Sequence, residues 1–118
     1  MDKNTLLQVW PIPAFDDNYI WCIHDGKSAL VVDPGDSEPV QAYLLAQNLA
    51  LKGILITHHH ADHTGGILNL LQRFGPNLPV YGPAGSNIPG RTVVVKEDDK
   101  IEIASPNIHF KVFEVPGH

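Results

Sequence analysis

Thr57-His58-His59-His60-Ala61-Asp62-His63-Thr64-Gly65-Gly66 is the stretch on which the reading of this chain turns. Four of the seven histidines fall between positions 58 and 63, too dense a cluster to pass as ordinary composition. The apolar run Ile54-Leu55-Ile56 before it reads as a short buried strand, and the glycines after it open a helix. His58 and His60 are two apart, so on an extended backbone their imidazoles project to one side while His59 projects away. Asp62 and His63 fall where the chain bends toward the helix and can face the same space from another angle. Imidazole nitrogen plus carboxylate oxygen is a borderline donor set, suited to zinc, iron or manganese.

A lone His-x-His is weak grounds for a metal site, and an Asp before a helix is commonly only an N-cap. A purification tag would not sit in mid-chain between a strand and a helix. The whole His-x-His-x-Asp-His on a strand-to-helix turn outweighs these readings. Its spacing also suggests two ions. His58 and His60 with a distant third histidine would serve one, and Asp62 with His63 would start a second nearby. Two close metals can share a hydroxide, lower the pKa of water and polarise a carbonyl, which is machinery for hydrolysis.

Working outward, Leu6 to Ile12, Tyr19 to Ile23 and Ala29 to Val32 read as strands, with Asp25-Gly26 a hairpin signal between the last two. Asp33-Pro34-Gly35 ends the third. Ser37 can cap a helix with Pro39 in its first turn, whose apolar face of Val40, Tyr43, Leu44 and Ala46 runs to about Leu49. Gly53 separates this helix from the strand at 54–56. A second helix spans about Gly66 to Phe74 and is closed by Gly75-Pro76. Strands follow at Pro79 to Tyr81, Thr92 to Val95, Lys100 to Ile103 and Ile108 to Val115. One mixed α/β domain over residues 1–118 is expected.

Composition agrees. A chain of 118 residues is long enough for one core and too short for two domains. No apolar stretch approaches a membrane span, and Met1-Asp2-Lys3-Asn4 lacks the layout of a signal peptide, so the cytoplasm is the expected compartment. A net charge of −5 without a Lys/Arg run speaks against nucleic acid as partner. Cys22 is the only cysteine, which excludes an internal disulfide and a thiolate zinc cluster. Its place within a strand fits a small buried residue. His24 and His109 read as surface or internally satisfied histidines.

Thr-His-x-His-x-Asp-His resembles the signature of the metallo-β-lactamase superfamily. Asp33 before Pro34-Gly35 is similar to that superfamily's earlier acidic position, and Pro116-Gly117-His118 to its later Pro-Gly-His. Within the superfamily, Pro13-Ala14-Phe15-Asp16-Asp17-Asn18-Tyr19-Ile20-Trp21 and Asp62-His63-Thr64-Gly65-Gly66 resemble the glyoxalase II family of hydroxyacylglutathione hydrolases. On their own, Asn18, Tyr19 and Trp21 would read as a loop followed by core aromatics.

The resemblance implies the N-terminal portion of an αββα sandwich. It implies that His58, His60 and His118 bind one divalent metal and Asp62 with His63 a second, most simply zinc, with iron or manganese also possible. Asp62 is expected to be the catalytic carboxylate as well, and Asp33 to support the metal-binding loop from behind. The implied substrate is a glutathione thioester, S-D-lactoylglutathione, hydrolysed to D-lactate and glutathione by a metal-bridging hydroxide. The family pattern also needs a bridging aspartate and a further histidine beyond His118, and a helical substrate region. The chain is therefore expected to be a truncated form with impaired activity and an uncovered apolar face. The alternatives are a persulfide dioxygenase of the same superfamily, using one iron, and a non-catalytic metal-binding fragment.

Overall fold

A computed structural model describes residues 7–14, 18–57, 64–83, 88–95, 100–104 and 107–111, the last two segments as backbone. The elements run β1 (Gln8–Ala14), β2 (Asn18–His24), β3 (Ser28–Val32), α1 (Ser37–Ala46), β4 (Ala50–Leu55), α2 (Ile67–Phe74), β5 (Val80–Pro83), β6 (Val93–Val95), β7 (Lys100–Ala104) and β8 (Asn107–Lys111). Among the described residues β1 to β6 form one sheet in sequence order, and β7 pairs with β8 in a second. The α/β architecture expected from the sequence is present.

Connection length decides strand direction. β2 and β3 are joined by a tight turn and pair antiparallel, as do β1 and β2. α1 lies between β3 and β4, α2 between β4 and β5, and both pairs are parallel, as is β5 with β6. In the β2–β3 turn, Gly26 takes a φ of 90°. The Asp25 carboxylate accepts from the amides of Lys27 at 2.9 Å and Ser28 at 2.8 Å. Those bonds, that from Ser28 foremost, hold its pKa below the usual carboxylate value.

β2 shows how the core is divided. Ile20, Cys22 and His24 are buried, whereas Tyr19 and Trp21 between them are exposed. The helix-side core joins Ile12, Ile20, Cys22, Val31 and Ile54 of the sheet to Val40 and Leu44 of α1 and Ile67 and Leu70 of α2. Each of the aliphatic side chains contributes about 1.5–3 kcal/mol through burial. His24 is 3% exposed and internally satisfied. Its Nδ1 accepts from the Gly26 amide at 3.1 Å, so Nε2 carries the hydrogen and donates to the Tyr43 hydroxyl at 3.0 Å. Trp10 stacks on Tyr43, with ring centroids 5.9 Å apart.

Several boundaries differ from the sequence reading. The N-cap of α1 is Asp36 rather than Ser37, because the Asp36 carboxylate accepts from the Glu38 amide at 3.1 Å and leaves Ser37 as the first helical residue. The helix ends at Ala46, not near Leu49. Asn48 adopts the left-handed conformation at φ 56°, and the amides of Asn48 and Leu49 turn back to the carbonyls of Leu45 and Leu44. Gly53 does not separate helix from strand but lies within β4, beside Leu30 and Pro79. β1 runs two residues later than expected, through Pro13. The part of the last expected strand beyond Lys111 lies outside the described residues. Among the described residues no helix is long and apolar enough to cross a membrane.

Candidate metal centre

Parallel neighbouring strands deliver their following residues to one edge of the sheet, where α/β proteins place their sites. β3 and β4 are such a pair, with Val32 opposite Leu55. The residue after β3 is Asp33, and two residues after β4 comes Thr57. The ladder continues past both strand ends: the Asp33 amide donates to the Leu55 carbonyl and the Ile56 amide to the Tyr81 carbonyl, each at 2.8 Å.

Asp33 meets this edge with a φ of 53°, a left-handed conformation that Asp and Asn tolerate better than most residues. Its carboxylate then grips Thr57 twice. Oδ1 accepts from the Thr57 amide at 2.6 Å, and Oδ2 accepts from the Thr57 hydroxyl. Both carboxylate oxygens thus engage the residue immediately before His58. That arrangement suits a support for the histidine segment better than a ligand in it.

The far end of the segment is fixed as well. Thr64 is buried at 7% exposure. The Gly66 amide donates to the Pro34 carbonyl at 2.8 Å, and Gly66 then caps α2 without a side-chain bond. In the sequence alone Thr57 is one letter of the motif and Gly66 the opening of a helix. Their contacts to the Asp33–Ser37 turn, 24 and more residues earlier, leave no local signal in the sequence.

His58, His60, Asp62, His63 and His118, the expected ligands, lie outside the described residues, and so do His59 and the segment at 15–17. Of the expected site residues the structure describes Asp33, whose carboxylate engages Thr57, the residue before His58. The donor chemistry of the five, four imidazoles and one carboxylate, fits divalent zinc, iron or manganese. Cys22 is fully buried in the core, and burial pushes its thiol up to about 12, so it offers no thiolate ligand or nucleophile.

Residues 14–115 match the family described as the metallo-beta-lactamase superfamily. The chain is 54% identical to a protein of Cupriavidus metallidurans named hydroxyacylglutathione hydrolase, over 96% of this chain and 44% of that protein. It is 47% identical to the hydroxyacylglutathione hydrolase of Nitrosomonas eutropha, over the same shares. Among solved structures, it resembles the BLEG-1 B3 metallo-beta-lactamase with a TM-score of 0.76 at 25% identity, covering 93% of this chain and 62% of that one. The chain spans less than half the length of these two curated relatives.

Proposed function

Because this chain belongs to the metallo-beta-lactamase superfamily, we propose that it serves the metal-dependent hydrolysis of a glutathione thioester, S-D-lactoylglutathione, to D-lactate and glutathione. The names of its relatives support the substrate class. The metal part rests on one observation: Asp33 fastens the amide and hydroxyl of Thr57, directly ahead of the His-x-His-x-Asp-His segment.

In this reading His58, His60 and His118 hold one divalent cation, and Asp62 with His63 a second, with zinc the simplest occupant. When bound, such cations bring the pKa of a water to near neutrality and polarise the scissile carbonyl. The chain's own contribution is position. Asp33 and Thr57 fix where the donors leave β4, which removes part of the ordering cost that a free loop would carry on binding metal. In the overall reaction the water oxygen bonds to the acyl carbon, the carbon–sulfur bond breaks, and a proton passes to the glutathione sulfur.

Loss of thioester absorbance, followed with metal-loaded and chelated protein, tests the proposal. Turnover that requires metal is the expected result. Hydrolysis that survives chelation, or a protein that binds no divalent metal, refutes it.

A further inference from the structure

The turn after β3 holds both ends of the histidine segment. At the start, the Asp33 carboxylate grips Thr57. At the end, the Gly66 amide bonds the Pro34 carbonyl at 2.8 Å. Gly66 has an ordinary φ of −98°, so backbone freedom does not explain the glycine. Space does. A Cβ at this position would lie 2.6 Å from the Pro34 carbonyl oxygen, 2.6 Å from the Ser37 nitrogen and 2.9 Å from the Asp36 carbonyl carbon. All three obstructions are backbone, and no side-chain rotation relieves them.

The turn itself has little room to give way. Pro34 has a restricted φ and is fully buried. The Asp33 amide is bound to Leu55 and the Gly35 amide to the Asp33 carbonyl. Asp36 caps α1, whose first residue, Ser37, is among the atoms that Gly66 faces.

We infer that the Asp33–Ser37 turn is a jig that sets the span of residues 58–65, and that Gly66 is a positioning residue for metal binding. Its missing side chain lets the start of α2 sit on the turn; any Cβ would push α2 away and widen the span the donors must close. This rests on the reading of the segment as metal-binding.

Zinc affinity, measured by competition with a chromophoric chelator, tests the inference in the wild type, Gly66→Ala and Gly53→Ala. Gly53 is the control, because a Cβ there meets the Leu30 side chain at 3.1 Å within β4, away from the turn. Gly66→Ala should weaken zinc binding about 10–100-fold, the range typical of lost support around metal ligands. Gly53→Ala should stay within about two-fold of the wild type. Equal affinity in Gly66→Ala and the wild type, or equal losses in both variants, overturns the jig and leaves the metal reading standing. A wild type that binds no zinc removes both. Hydrogen exchange on the metal-free wild type needs no variant to fold. A protected Gly66 amide supports a turn that is set before metal arrives, and exchange at the unprotected rate overturns it.

Discussion

Cys22 and its neighbours show how burial fixes the chemistry of single residues. The thiol is fully buried on the helix side of β2, where a thiolate would lose its hydration. Its pKa is accordingly raised from an ordinary 9.0 to about 12. Burial also raises the Tyr43 phenol, and a thiolate at Cys22 would raise it further. A rise of this size leaves roughly a thousand-fold less thiolate at neutral pH than an exposed cysteine carries. Iodoacetamide should therefore label Cys22 only after unfolding, and labelling of the folded protein at the rate of a free thiol would contradict the packing. The sign of the pH effect follows. Above about pH 9 the unfolded chain releases the thiol proton while the folded chain keeps it, so this group's contribution to stability falls as pH rises toward 12. Urea midpoints of the wild type and Cys22→Ala at pH 8 and pH 10 should converge at the higher pH.

At the scale of elements, the end of α1 is fixed by Asn48, whose φ of 56° lets two amides return to the last carbonyls. Alanine tolerates that conformation poorly, and Asn48→Ala should cost about 1 kcal/mol. Denaturant melts would read this as a lower midpoint with an unchanged slope; an unchanged midpoint would argue against the left-handed cap. The same kind of detail separates what the sequence made legible from what it did not. The strands and both helices could be read from apolar periodicity. The expected first strand stopped at Ile12, but β1 runs on through Pro13, as an edge strand can, where an amide need not bond to a neighbour. Gly53 suggested a break, yet it lies in β4 because a Cβ would crowd Leu30. Asp33 stood out in the sequence as a residue at a strand end. Thr57 and Gly66 were not legible as its counterparts, since both contacts depend on β3 and β4 lying side by side.

Across the whole molecule, the six-stranded sheet is apolar on both faces but carries its helices on one. Register sets Pro11 opposite Trp21 and Pro13 opposite Tyr19, and Trp21 opposite Val32 on the other side. On the face away from the helices, Val9, Tyr19 and Trp21 are 59%, 57% and 44% exposed, and the rings of Tyr19 and Trp21 lie 6.1 Å apart. A contiguous apolar surface of this kind favours contact with another apolar surface over water. Net charge opposes association only weakly here, since −5 is modest for 118 residues. The 118-residue chain by itself should therefore bind a hydrophobic dye and self-associate as concentration rises. Replacing Tyr19 and Trp21 together by serine should change stability by no more than about 1 kcal/mol, because both rings are already well exposed. The same replacement should reduce dye binding and shift light-scattering mass toward that of a monomer. A wild-type chain that stays monomeric and dye-silent would mean that this face is covered in solution. A double variant that associates as strongly would place the contact elsewhere, with Leu45, Leu68 and Val94 the remaining large exposed apolar side chains to test among the described residues away from β1.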